Sequence, residues 1–307
     1  MDELKDALRT VVAVTATPFE PSGALDEPAL TRVVRRLVDG GITAVTPNGN
    51  TGEFYSLTPA ELDRALEVAL AAAGTALVVP GVGHAAGVAV ELARRAAELG
   101  APAVMVHQPV HPYQSNAGWV DYHRRIADAV PGTGVVAYLR NPAITGAALA
   151  ELAAACPNFV AVKYAVPDPT ALADAIAAVG AADPTGTAGA DRLTWVCGLA
   201  EPWAPFFWTA GARGFTSGLA NVLPRLSLDL LAALRSGDGT ATMELWHAIR
   251  PFENLRARDG NAWNVSAVKE ALAQLGVAGR TVRPPVTELA AADRELVGGL
   301  LAGWGAA

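Results

Sequence analysis

The sequence predicts an α/β fold, a (β/α)8 TIM barrel with a C-terminal helical extension. Three observations predict it. Short apolar, β-branched runs alternate with amphipathic helical patterns through most of the chain, as parallel strands covered on both faces do. Eight such pairs fit into about 235 residues, the size of a (β/α)8 barrel. A chain of 307 residues that is 51% hydrophobic and 17% charged can also bury a core of that extent. A doubly wound open sheet is the alternative, but its phosphate fingerprint is missing, because Gly81-Val82-Gly83 runs on into His84-Ala85-Ala86.

The elements are expected in this order. Val11–Phe19 is the first strand, followed by a helix over Glu27–Gly40 that Asp26 caps, with Pro28 in its first turn. Thr43–Pro47 is the second strand. Thr58 caps the next helix, with Pro59 at its first position and Glu61 at the capping-box spacing. Ala76–Val82 and Ala103–Gln108 are the third and fourth strands, separated by an Ala-rich helix over Gly87–Leu99. Val135–Leu139, Phe159–Ala165, Leu193–Cys197 and Gly214–Ser217 are the fifth to eighth. Helices are expected near Asn116–Val130, Ala147–Ala155, Pro169–Val179, Pro202–Gly211 and Leu223–Arg235. After Arg235, Ser236-Gly237-Asp238-Gly239 breaks the alternation. The barrel is therefore assigned to 1–235 and the extension to 236–307, with helical segments near Ala241–Leu255, Ala267–Leu275 and Val286–Leu300.

Bulk properties exclude several function classes. The net charge is −7 and no basic stripe is present, so no nucleic-acid partner is expected. No stretch has the roughly 18 uncharged apolar residues of a membrane span, so no membrane partner is expected. Cys156 and Cys197 show neither disulfide nor metal spacing and read as reduced core residues of a cytoplasmic protein. The charged start Met1-Asp2-Glu3-Leu4-Lys5-Asp6 lacks a signal core. The five histidines are scattered, and no metal and no cofactor is expected.

The chemistry points to Lys163. The protein has three lysines, Lys5, Lys163 and Lys269, against twenty arginines. Lys163 lies inside the apolar run Phe159–Ala165, whereas Lys5 sits in a polar stretch and Lys269 in a C-terminal helical pattern. Arginine keeps its proton in a protein, but a desolvated lysine can lose it and attack a carbonyl to form a Schiff base. The alternative is a lysine at a strand end with its ammonium reaching water. In a barrel, functional groups gather at the C-terminal ends of the strands. Gly49-Asn50-Thr51-Gly52-Glu53 follows the second strand, and its backbone N–H groups suit a carboxylate, with the Thr51 hydroxyl suited to proton relay. An ordinary βα turn would use the same residues. Tyr138 is a candidate proton shuttle or a satisfied core tyrosine. Arg140, two residues on, is a candidate carboxylate clamp or a surface ion-pair partner.

These pieces together resemble the dihydrodipicolinate synthase/N-acetylneuraminate lyase family of Schiff-base-forming barrels. The likeness runs from Val14-Thr15-Ala16-Thr17-Pro18-Phe19 through Gly49–Thr58, Tyr138, Val162-Lys163 and Gly214-Phe215-Thr216-Ser217 to Asn221. Within the family the chain looks most like 5-dehydro-4-deoxyglucarate dehydratases, by Tyr138-Leu139-Arg140-Asn141-Pro142, Val265-Ser266-Ala267-Val268-Lys269 and Val282-Arg283-Pro284-Pro285. The resemblance implies that Lys163 forms an imine with a 2-oxo acid, that Tyr138 and Thr51 move protons, and that Gly49, Asn50 and Thr51 hold the carboxylate. It implies a pocket lined near Gly198, Thr216 and Ser217, and a homo-oligomer, a tetramer or dimer. The chain departs from dihydrodipicolinate synthase at four places. Asn50 replaces the first loop hydroxyl, Ala143-Ile144 replaces an arginine, and Tyr164 replaces the acidic residue after the lysine. His111, with Tyr113 nearby, replaces a tyrosine contributed across a subunit interface. The expectation is a dehydratase-like lyase, with a pyruvate aldolase and a non-catalytic small-acid-binding barrel as alternatives.

Overall fold

The computed structural model of the chain describes residues 1–183, 186 and 189–306. These residues fall into two compact units. One comprises Met1–Thr10 and Val79–Thr216, the other Val11–Val78 and Ser217–Ala307. Among the described residues there are nine strands: β1 (Val11–Val14), β2 (Ala44–Thr46), β3 (Leu77–Val78), β4 (Gly81–Val82), β5 (Ala103–Val106), β6 (Gly134–Leu139), β7 (Phe159–Tyr164), β8 (Thr194–Cys197) and β9 (Gly214–Ser217).

In the first unit the strands pair in parallel in the order β9-β8-β7-β6-β5-β4. Every residue of β5, β6, β7 and β8 is buried, which is why these segments read as continuous apolar runs. The covering helices are held at their starts by side-chain caps. Ser115 accepts the Gly118 N–H at 3.1 Å, and Asp168 accepts the Thr170 and Ala171 N–H groups at 2.8 and 3.1 Å. The helix Pro169–Ala181 buries Leu172, Ala175 and Val179, one stripe at helical spacing. A short helix, Asp2–Ala7, formed by the charged leading stretch, precedes β1.

In the second unit β3-β2-β1 pair in parallel. The predicted caps are present. Asp26 accepts the Ala29 N–H at 2.9 Å, and Thr58 and Glu61 form a reciprocal capping box. The expected third strand, Ala76–Val82, is instead two strands. Pro80 interrupts it, since proline has no N–H for a ladder. The first strand is also shorter than expected: beyond Val14 the chain is irregular, apart from a bridge between Phe19 and Leu25. The C-terminal helices are Gly239–Asn261, Asn264–Gln274 and Ala291–Gly303. The first of these is broken by non-helical backbone at Arg258–Gly260. The last starts five residues later than the predicted Val286, because Ala290 is still extended and caps it. No helix among the described residues is long and apolar enough to cross a membrane.

Candidate active site

In the first unit β6 and the chain leaving β8, which carry Tyr138 and Gly198, lie against β7. Lys163 lies one residue from the end of that strand and is buried. Its register partners are Tyr138 on β6 and Val196 on β8. Opposed residues on neighbouring strands share a face, and the Lys163 Nζ accordingly sits 4.1 Å from the centroid of the Tyr138 ring. The lysine is therefore turned inward and is not a strand-end cation reaching for water. The buried His107 ring lies edge-on to Tyr138, with the ring centroids 6.0 Å apart.

Gly198 explains how the lysine stem fits. Its N–H donates to the Tyr164 carbonyl at 2.7 Å, which draws the chain leaving β8 against β7. A Cβ at Gly198 would stand 2.8 Å from Ala165 Cβ and 3.0 Å from Lys163 Cγ, closer than packed carbons approach. Beside it, the Thr216 hydroxyl donates to the Cys197 carbonyl at 3.3 Å. Arg140 follows directly on β6 and is exposed; its backbone N–H donates to Gln108 Oε1 at 3.2 Å.

Burial pulls the Lys163 ammonium down from 10.5 to about 7, and the positive charge of Arg140 adds to that pull. The attraction of a cation for the Tyr138 ring acts the other way but is too weak to offset desolvation. Cys197 does not supply a counter-charge, since burial pushes its thiol up to about 12. An amine that is half neutral near pH 7 is a nucleophile at that pH, and an ordinary lysine is not.

His111 and Tyr113 lie apart from this group, on the exposed loop after β5. His111 Nδ1 accepts the Tyr113 N–H at 3.1 Å, and the two rings are 5.9 Å apart.

Gly49, Asn50, Thr51 and Ser217 belong to the second unit. Gly49 caps a single 3-10 turn over Asn50–Gly52. The turn is pressed onto the chain leaving β1. A Cβ at Gly49 would meet Val14 Cγ1 at 2.3 Å, and one at Gly52 would meet the Thr15 carbonyl oxygen at 2.8 Å and Thr17 Oγ1 at 2.9 Å. Both glycines are thus required by close approach, and Thr51 is buried between them. The Ser217 hydroxyl accepts the Ala220 N–H at 2.8 Å and lies 3.2 Å from Ser227 Oγ, so it also serves its own turn.

Sequence reasoning gave no role to three residues that the second unit brings together: Glu53, Lys269 and Arg283. Lys269 is buried and pairs with the buried Glu53 carboxylate. Two of the three lysines are therefore inside the protein, Lys163 on its strand and Lys269 on its helix. A signal was present: Val265 and Leu272 stand four before and three after Lys269, which places it on the apolar stripe of its helix. Among the described residues, no group of three or more His, Cys, Asp or Glu side chains is arranged to hold a metal ion.

The comparisons with known proteins bear on the class and then on the family. The fold and the relatives together define an enzyme of the lyase and aldolase type. The chain belongs to the dihydrodipicolinate synthetase family, whose description fits residues 7–302. A protein of Rhizobium rhizogenes described as a probable 5-dehydro-4-deoxyglucarate dehydratase is 32% identical over 292 residues, covering 94% of this chain and 93% of that protein. A similarly described protein of Methylobacterium radiotolerans is also 32% identical, over 289 residues. Among solved structures, dihydrodipicolinate synthase from Oceanobacillus iheyensis superposes with a TM-score of 0.92 at 36% identity, covering 100% of this chain and 99% of that one. The synthase from Bacillus clausii gives 0.91 at 39% identity, covering 98% and 99%. This likeness carries the predicted fold class, an α/β barrel of the TIM type with C-terminal helices.

Proposed function

We propose that the protein is a Schiff-base-forming lyase that acts on a 2-oxo acid through Lys163. The observation that carries this reading is the inward-facing Lys163 beside Tyr138, with no carboxylate paired to it among the described residues and its ammonium lowered to about 7. The amine adds to the C2 carbonyl, and the carbinolamine loses water to leave a protonated imine. That imine withdraws electrons from C3 and makes its protons acidic. Tyr138, whose ring lies against the amine, is assigned to carry protons in these steps by family resemblance, with Thr51 as the second relay. Gly49, Asn50 and Thr51 take the C1 carboxylate by the same resemblance, and Arg140 takes a distal carboxylate or hydroxyl. Gly198 and Thr216 line the lysine's surroundings.

On the substrate that names the sequence relatives, loss of the C3 proton expels the hydroxyl at C4 as water. The conjugated iminium then accepts the electron pair released when the distal carboxylate leaves as carbon dioxide, and hydrolysis of the imine returns the amine. The dehydratase-described relatives favour this outcome. The solved synthases, which are somewhat more similar in sequence, favour a second one, in which the enamine of pyruvate adds to an aldehyde. Borohydride reduction in the presence of pyruvate, followed by intact-protein mass and peptide mapping, tests the shared first step. An adduct on Lys163, absent from Lys163→Ala, is the expected result, and no adduct on the wild type would refute the reading. Carbon dioxide release from 5-dehydro-4-deoxyglucarate, against consumption of pyruvate with an aldehyde, separates the two outcomes.

The same reading makes the protein a homo-oligomer, a dimer or tetramer. The exposed Val110 and Tyr113 support it, being large apolar and aromatic side chains on one loop. Light scattering on the purified chain gives the mass directly.

A further inference from the structure

The loop that carries Gly49, Asn50 and Thr51 ends in a residue that is both strained and buried. Glu53 has φ 57 and ψ 39, a left-handed backbone that non-glycine residues rarely adopt, and its side chain is buried. What holds it comes from the far end of the sequence. Lys269, 216 positions away on the helix Asn264–Gln274, donates to Glu53 Oε1, and its ammonium donates again to the Thr281 carbonyl at 2.8 Å. The Arg283 backbone N–H donates to Glu53 Oε2 at 3.0 Å.

The Arg283 guanidinium then reaches past Glu53 to the segments on either side of the loop. It donates to the Gly23 carbonyl at 2.6 and 3.0 Å, to the Ser56 carbonyl at 2.9 Å and to both Glu61 carboxylate oxygens at 2.5 and 3.0 Å. Those bonds hold the Glu61 carboxyl down at about 2. The Lys269 ammonium and the Arg283 guanidinium lie 4.0 and 4.1 Å from the centroid of the Phe19 ring. The Lys269 ammonium and the Arg283 backbone therefore hold the Glu53 carboxylate, both cations lie on the Phe19 ring, and the Arg283 guanidinium ties Gly23, Ser56 and the Glu61 carboxylate on the two flanks of the five-residue loop.

A buried ion pair is a poor source of stability compared with apolar packing, because both ions must be stripped of water. Its distinctive property is directional: charge-assisted hydrogen bonds fix a carboxylate in one orientation. We infer that Glu53, Lys269 and Arg283 are positioning residues, and that the C-terminal extension sets the shape of the Gly49–Glu53 loop on which binding of the 2-oxo acid carboxylate depends. The inference rests on the loop's role in the proposed function. It adds that the 72 residues assigned to the extension act on substrate affinity through Glu53.

The test uses the full chain, with pyruvate as probe and borohydride trapping at Lys163 as readout. Three variants are compared: Lys269→Met, the paired Glu53→Gln/Lys269→Met, and Arg283→Lys. The single Lys269 change leaves a buried carboxylate unpaired and threatens folding, whereas the paired change removes both charges. The paired variant is expected to keep the wild-type far-ultraviolet circular dichroism and the wild-type trapping rate at saturating pyruvate. Its half-saturating concentration is expected to rise by about tenfold or more, since misplacement of a binding group by a fraction of an ångström has effects of that order. Arg283→Lys retains a charge at a half-buried position but loses the fork, and an increase of about threefold is expected. A folded paired variant, or Arg283→Lys, with wild-type half-saturation overturns the inference. So does a fall in the saturating rate with no change in half-saturation. No adduct on the wild type overturns the proposed function and this inference with it, whereas wild-type trapping with unaltered variants overturns the inference alone.

Discussion

Lys163 on β7 and Lys269 on the helix Asn264–Gln274 are both withdrawn from water, and their surroundings differ in one respect. Lys269 has a carboxylate on it, Glu53, and a carbonyl from Thr281. Lys163 has a tyrosine ring, an arginine charge and a thiol that stays protonated. Burial lowers the Lys269 ammonium to about 8, with Glu53 opposing the fall. It lowers Lys163 to about 7, and Arg140 deepens the fall. The difference teaches that burial alone does not make a nucleophile. A paired ammonium is a structural cation, and an unpaired one is a base whose free pair is accessible at neutral pH.

The contrast is most sharply broken by removing each charge in turn. Lys269→Met should destabilise the protein by about 3–5 kcal/mol, because it strands the Glu53 carboxylate in the interior. Lys163→Met should stabilise it at pH 6, by an amount on the order of a few kcal/mol, because it removes a buried charge that has no carboxylate partner among the described residues. Urea unfolding of the two variants checks both, and a common sign would erase the distinction between the lysines.

The gain from Lys163→Met should also fade with pH in one direction only. Below about 7 the wild-type amine is charged in the folded and unfolded chains alike, and the folded chain bears the full cost. Between about 7 and 10.5 the unfolded chain holds a proton that the folded chain does not, so wild-type stability gains on the variant as pH rises. Above 10.5 the difference should level off. A variant that keeps its advantage at pH 10 would show that the amine is not perturbed.

Two smaller changes sharpen the picture around Lys163. Gly198→Ala forces a methyl against Ala165 and the Lys163 stem, and should cost about 1–3 kcal/mol in stability together with a slower rate of pyruvate trapping. Arg140→Gln removes the second cause of the lowered amine. It should move the pH midpoint of trapping upward by less than about one unit, since Arg140 is exposed and its field is screened. A downward shift would contradict the assigned sign.

Much of the fold was legible because its signals are local. The Thr58 capping box, the Asp26 cap and the apolar runs at β5 to β8 each depend on neighbours within a few positions. The errors share a cause as well. Pro80 splits a run that is uniformly apolar by composition, and Ala290 remains extended where helical periodicity continues on paper. Both turn on backbone geometry that a hydrophobic pattern does not encode. Lys163 stands out in the sequence because a lysine inside an apolar, β-branched run is unusual in a chain with twenty arginines, and the register of β6 and β7 sets Tyr138 beside it. The Glu53–Lys269 pair escaped because its members are 216 positions apart, and no local rule relates them.

By itself, then, the order of residues determined the α/β alternation, the helix starts and the candidate nucleophile, all of them consequences of short-range sterics and the separation of apolar from polar side chains. Only the tertiary structure decided which buried lysine is paired with a carboxylate and which lies against a tyrosine ring. A pKa is set by the full three-dimensional distribution of charge and solvent around a group, and that distribution exists only once distant segments have packed.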